Sequence, residues 1–166
     1  TMASWPERKG CGVAKVLLIQ LDGKLPNLAL MRISAWHKSQ GDQVELRKGK
    51  QMEQGLFDAG SFDKVYASSI FTKTRDLADR VKLIYPHALI GGTGWDISVT
   101  LDSAGVPEWI RPDYSIYPGF AQSLGFTQRG CRLKCGFCVV PRKEGKMKET
   151  ATILDIWRGR PWPRQI

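Results

Sequence analysis

Cys131, Cys135 and Cys138 stand within eight residues at C-x3-C-x2-C spacing. Thiolates this close on one short loop can converge on a single iron-sulfur cluster, and a [4Fe-4S] cluster held by three of them keeps one iron open to a chelating substrate. Gly130 and Gly136 flank the turns such a loop needs. The competing reading is a zinc-binding interaction or nucleic-acid-binding module without catalytic activity, with the three thiolates joined by His37, His87 or Cys11 to complete a tetrahedron. Zinc sites more often use two C-x2-C pairs, and no second pair exists here. Cys11 stands apart and reads as a non-ligating thiol. Arg129, Arg132, Lys134, Arg142, Lys143, Lys146 and Lys148 surround the motif, a setting that suits thiolate ligands or a bound carboxylate. Arg142 and Lys143 read either as partners of an anionic cofactor group or as a solvated turn.

A loop of this kind needs a scaffold, and residues 14–94 read as one. Ala14 to Leu21 is a short branched apolar run that suits a strand buried on both faces. A helix follows from Pro26 or Asn27 to Gln40, with Leu28, Met31 and Ala35 on its inner face and Gly41 as its stop. Strands are expected at Val44 to Leu46 and Lys64 to Ser68. A second helix runs from Lys73 to Tyr85, burying Leu77, Val81 and Ile84 and ending at Pro86. Ala88 to Ile90 is a fourth strand that enters Gly91-Gly92-Thr93-Gly94. The alternation predicts an α/β fold, a small Rossmann-like (flavodoxin-like) parallel sheet with flanking helices. Residues 1–13 form a lead-in. Residues 95–120, interrupted by Pro107, Pro112 and Pro118, form a linker packed across a surface. Residues 121–166 hold the cysteine loop, with a strand at Leu124 to Thr127 before it, a helix at Thr150 to Trp157 after it, and the start of a strand at Pro161 to Ile166.

The segment GFTQRGCRLKCGFCVVP, Gly125 to Pro141, resembles the radical S-adenosylmethionine (radical SAM) superfamily in its full cysteine spacing and in Phe137 just before the third cysteine. The resemblance implies that Cys131, Cys135 and Cys138 ligate a [4Fe-4S] cluster and that S-adenosylmethionine binds the fourth iron through its amino and carboxylate groups. It places Phe137 near the adenine. Reductive cleavage, fed by a one-electron donor such as flavodoxin or ferredoxin, would yield a 5′-deoxyadenosyl radical. The cluster loop of that family follows the first strand of a (β/α) barrel. Only 28 residues follow Cys138, so the expectation is the start of a truncated radical SAM barrel, in an N-terminal part that is inactive alone.

Residues 14–94, through KVLLIQ, PNLALMRISAWHKSQGDQVEL and GGTG, resemble the cobalamin (B12)-binding-like domain of one branch of that superfamily. This implies a ligand at the C-terminal ends of the strands, with Gly91, Gly92 and Gly94 letting backbone approach a large planar group. The Asp-x-His-x-x-Gly motif of cobalt ligation is missing, and His37 and His87 are the only histidines. Cobalamin and a cofactor-free docking module stay equally open.

Asp22, Asp42 and Asp96 lie near strand ends and suit either ligand contact or turn formation. Trp36, Trp95, Trp109, Tyr114 and Tyr117 suit interdomain packing or stacking on a planar ligand. With 25 Lys and Arg against 16 Asp and Glu, the net charge of +9 is compatible with an anionic partner, and nothing beyond this charge indicates nucleic acid. No apolar run is long enough for a membrane span. The N-terminus lacks a signal-peptide pattern, and the clustered cysteines suit a reducing compartment, so the cytoplasm is the expected location.

Overall fold

The computed structural model describes residues 12–49, 61–107, 109–133 and 135–166. Cys11 and Lys134 lie outside the described residues.

The apolar run beginning at Val16 becomes the centre of a four-stranded parallel sheet. Strand β1 (Lys15–Gln20) pairs with β2 (Gln43–Lys48) on one side and β3 (Lys64–Ser68) on the other, and β4 (Leu89–Gly91) extends β3. The order is β2-β1-β3-β4. Being central, β1 has both faces covered, which explains a strand with no polar alternation over Val16 to Ile19. Leu17, Ile19, Val65, Ala67 and Ile90 face one way, toward helix α2 (Arg75–Ile84). Val16, Leu18 and Tyr66 face the other, toward helix α1 (Leu28–Ser39). The β1-to-β2 and β3-to-β4 crossovers run in opposite lateral directions, so right-handed connections put their helices on opposite faces. The predicted α/β layering is therefore present over residues 15–91.

Helix α1 starts where its cap dictates. The Asn27 side chain accepts from the amides of Ala29 (3.1 Å) and Leu30 (3.2 Å), satisfying donors that the first turn leaves without partners. Its buried face differs from the predicted one. Leu30, Met31, Ile33, Ser34 and His37 are buried, whereas Leu28 and Ala35 are only partly covered. The helix is wrapped from two sides, by the sheet and by the segment after β4, so its covered stripe is broader and rotated from the simple one. Helix α2 is preceded by a 3-10 turn at Thr72–Thr74 and buries Ala78 and Val81, with Leu77 and Ile84 packed at the margin.

The stretch after β4 is more than a tether. It carries 3-10 turns at Asp102–Ala104 and Tyr114–Ile116, and it lays Val106, Ile110 and Ile116 onto the α1 side of the sheet. Asp113 clamps it to α1. Asp113 Oδ2 accepts from Ser34 Oγ (2.6 Å) and Lys38 Nζ (2.7 Å), its Oδ1 accepts from the Ser115 amide (2.8 Å), and its own amide donates to the Met31 carbonyl (3.1 Å). Burial raises the Asp113 carboxyl, but the hydrogen bonds from Lys38, Ser115 and Ser34 outweigh it and hold the group at about 2. An ordinary aspartate titrates near about 3.9, so the clamp contributes fully above about pH 4 and loses its contribution as pH falls toward about 2. Asp113→Asn should lower stability at neutral pH by about 1 kcal/mol, the linkage figure discounted for solvent screening. Urea unfolding should show the gap between wild type and variant closing as the acid limit is approached.

The C-terminal stretch departs from expectation. No barrel strand forms over Leu124 to Thr127. The Leu124 amide donates to the Tyr114 hydroxyl (2.8 Å), and the Thr127 carbonyl, which accepts from the Thr150 amide (2.9 Å), only continues the short antiparallel pair that follows. Instead β5 (Gln128–Arg129) pairs antiparallel with β6 (Lys148–Glu149), and a short helix α3 (Val140–Lys143) lies between them. The predicted helix over Thr150 to Trp157 is a single turn, α4 (Ile153–Ile156), fixed by a capping box between Thr152 and Asp155. No strand begins at Pro161. The segment is pinned by the Ser123 amide donating to the Gln165 carbonyl (2.8 Å), and the Arg158 guanidinium lies 3.8 Å from the Tyr114 ring centre and 3.5 Å from that of Trp162.

Candidate cluster loop and the C-terminal edge of the sheet

The cysteine loop grows from the β5–β6 stem. Arg129 pairs opposite Lys148, and Gly130 then turns with φ +77°. A side chain at Gly130 would strike the Lys146 carbonyl, so glycine is required for the two limbs to close. Glu144 staples them, accepting from the Gly130 amide through Oε2 and from Arg129 Nη2 through Oε1, each at 3.0 Å. The Gly130 amide bond is the largest influence on the Glu144 carboxyl and lowers it; burial opposes, and Arg129 and Lys143 add to the lowering.

Beyond this staple the loop is lightly held. The Leu133 amide donates to Cys131 Sγ (3.4 Å), and the Cys138 amide donates to the Cys135 carbonyl (3.0 Å). Gly136 sits in that turn with open space around it and without positive φ, so the turn does not depend on glycine there. All three cysteines are free thiols, Cys135 exposed and the other two half-buried. Phe137 is 96% exposed. Among the described residues, no three His, Cys, Asp or Glu side chains gather closely enough to hold a metal ion. The donor set nevertheless fits a cluster in kind, since three uncommitted thiols share one loop. Binding would have to draw the sulfurs together, the usual coupling of metal binding to local folding.

Neither histidine joins them among the described residues. His37 is 2% exposed, with Nδ1 2.8 Å from Asp42 Oδ2 and Nε2 3.1 Å from the Tyr66 hydroxyl, so both ring nitrogens are engaged. It is a packing histidine of the core rather than the fourth ligand that the competing zinc reading offered. His87 is exposed after α2, its ring edge-on to Tyr85 at 6.3 Å.

The second candidate site lies where β1 and β3 diverge to opposite neighbours, the crevice in which open α/β sheets bind ligands. Here the chain's own side chains fill it. The Tyr117 hydroxyl donates to Gln20 Oε1 (2.8 Å) and accepts from the Asn27 amide (3.3 Å), and Asn27 Nδ2 donates to Ser68 Oγ (2.8 Å). Gln20 Nε2 lies 3.0, 3.1 and 2.9 Å from the carbonyls of Asp22, Gly23 and Leu25. Burial pushes the Tyr117 hydroxyl up, partly offset by the Asn27 amide. Asp22 spans the loops after β1 and β3. Its carboxylate accepts from the amides of Ile70 (2.9 Å) and Phe71 (2.9 Å) and from Thr74 Oγ1 (2.6 Å), taking the donors an anionic ligand would use.

The three glycines serve this internal packing. A Cβ on Gly92 or Gly94 would run into Ser69, and on Gly94 also into the Phe71 carbonyl; on Gly91 it would meet the Val99 carbonyl. The close approach expected at Gly91, Gly92 and Gly94 is therefore real, but the approaching group is the chain's own backbone. The Cβ side of each of these glycines is therefore closed by the chain itself. Asp42 and Asp96 are likewise structural, Asp42 through His37 and the Ala14 amide (3.0 Å), Asp96 through a turn to the Ser98 amide and hydroxyl. The hydrogen bonds from Ser98 hold the Asp96 carboxyl low. Trp36 and Trp95 pack against the two core faces, and Tyr114 lies under Arg158. Sequence reasoning missed Gln20 and Tyr117 as partners, because they are 97 residues apart and neither belongs to a local pattern.

No family model, curated protein or solved structure matches the chain. No helix among the described residues is long and apolar enough to cross a membrane.

Proposed function

We propose that this chain carries the cluster loop of a radical SAM enzyme, with Cys131, Cys135 and Cys138 holding a [4Fe-4S] cluster and S-adenosylmethionine as its co-substrate. The observation that supports the reading is three free thiols in C-x3-C-x2-C spacing on one lightly held loop. When bound, the cluster would supply the electron that cleaves the sulfonium, having been reduced by a low-potential electron donor such as flavodoxin or ferredoxin. The chain's own part is to present three thiolates, to hold the loop's ends together through Arg129, Glu144 and Gly130, and to offer Phe137, by resemblance, to the adenine. The α/β domain serves as a support or docking module, since the crevice that would take cobalamin is filled from within.

Anaerobic reconstitution with iron and sulfide tests this. The expected product is brown, with broad visible charge-transfer absorption and about four irons per chain. Cys135→Ala should abolish the absorption while leaving the far-ultraviolet circular dichroism of the α/β domain unchanged. Stable uptake of one zinc per chain, with no iron retained under the same conditions, would overturn the proposal.

A further inference from the structure

We infer that the lobe closed by β5 and β6 binds single-stranded nucleic acid. The charge of this protein is not spread evenly. Residues 129–148 hold seven Lys and Arg and one acidic residue, a net +6 of the chain's +9. Glu144, the single acid, is committed to Arg129 and the Gly130 amide. Arg132, Arg142, Lys146 and Lys148 are exposed and form no salt bridge among the described residues, and Lys143 is exposed beside Glu144.

The stem brings these cations into one lobe, with Arg129 opposite Lys148 and the Cys131 amide donating to the Gly145 carbonyl (3.4 Å). Like charges held this close repel one another, and a polyanion relieves the repulsion. A cluster bound there would not. Its 2+ core and three thiolates carry a formal charge of only about −1.

Two exposed rings distinguish nucleic acid from an acidic protein. Phe126, next to the stem, is 50% exposed with the Arg129 guanidinium 4.8 Å from its ring centre, and Phe137 is 96% exposed. Aromatic faces beside a basic track are what bases stack on in single-strand binding. Duplex reading calls for a helix or ribbon long enough to enter a groove. The lobe has only a four-residue helix and two-residue strands.

The test is fluorescence anisotropy with labelled oligo-dT and oligo-U of about twelve nucleotides, a length within the usual site sizes, using the full chain under reductant without reconstitution. The result is then independent of the cluster. With four phosphates neutralised, raising salt from about 50 to about 200 mM should weaken binding about 50-fold. Arg142→Glu/Lys146→Glu, both on solvated side chains, should weaken it more than about tenfold. Phe126→Ala should weaken it about tenfold through lost stacking. Circular dichroism checks that each variant stays folded. Three results would overturn the inference: no binding at the lower salt, a duplex of equal length bound as tightly, or polyglutamate competing equally while Phe126→Ala has no effect.

Discussion

His37→Leu should lower the unfolding free energy by about 3–5 kcal/mol, the range for removing one partner of a buried, hydrogen-bonded carboxylate–imidazole pair. Leucine roughly conserves volume, so the loss is chiefly polar. The Asp42 carboxylate, buried with 5% exposure, loses the imidazole 2.8 Å away, and the Tyr66 hydroxyl loses its contact at 3.1 Å. Burial pushes the Tyr66 hydroxyl up, and Asp42 nearby adds to the effect. His37→Leu/Asp42→Asn should recover about 2 kcal/mol of the loss, because a neutral amide is cheaper to bury than a carboxylate that has lost its imidazole partner. Denaturant unfolding of wild type, single and double variants measures both effects. A double variant no more stable than the single one would place the loss in packing instead. A small domain has only about 5–15 kcal/mol in total, so the single variant should sit close to the limit of folding.

The second large effect is expected at the end of the sheet. Gly92→Ala should cost about 3 kcal/mol or more, combining backbone strain with a clash the surroundings cannot easily relieve. Gly92 has φ +114°, and a Cβ there would meet the Ser69 carbonyl. That carbonyl cannot simply move, because it accepts from the Gly94 amide (3.0 Å) while the Ser69 amide donates to the Gly91 carbonyl (2.9 Å). Gly105→Ala is the control. Gly105 has φ +69° but nothing within 4 Å of an added Cβ, so only the left-handed backbone term applies, about 1–2 kcal/mol. Thermal or urea unfolding of the two variants separates strain from contact. Equal losses would show that Ser69 yields and that the loop after β4 is softer than its hydrogen bonds imply.

These sites show which parts of the molecule could be read from the chain and which could not. The strand at Lys15–Gln20 and the start of α1 were legible because each rests on a local signal, a branched apolar run in one case and the Asn27 cap in the other. The buried face of α1 was misread because part of its cover comes from Val106, Ile110 and Asp113, far along the chain. The glycines after β4 were recognisable as sites of close approach, but the identity of the approaching group depended on Ser69 and Phe71. At the cysteine loop the three thiols and the turn glycine Gly130 were plain. The staple was not, since Glu144 lies 14 residues from Gly130 and follows no recognisable motif. The strand expected at Leu124 to Thr127 failed for a related reason. A strand requires a partner, and here the Leu124 amide goes to the Tyr114 hydroxyl while only Thr127 meets backbone, at Thr150 beside the β5–β6 pair.

By itself the sequence determined the α/β alternation, the burial of an apolar β1 on both faces, the concentration of positive charge between Arg129 and Lys148, and the presence of three closely spaced thiols. Residue type, hydrophobic period and covalent spacing set all of these within a few residues. Only the tertiary structure decided that Tyr117, Gln20 and Asp22 fill the crevice between β1 and β3, that His37 is spent on Asp42 and Tyr66, and that the cysteine loop stands out on a two-stranded stem. Those outcomes rest on contacts between distant segments, and which polar group satisfies another across such a distance is settled by packing.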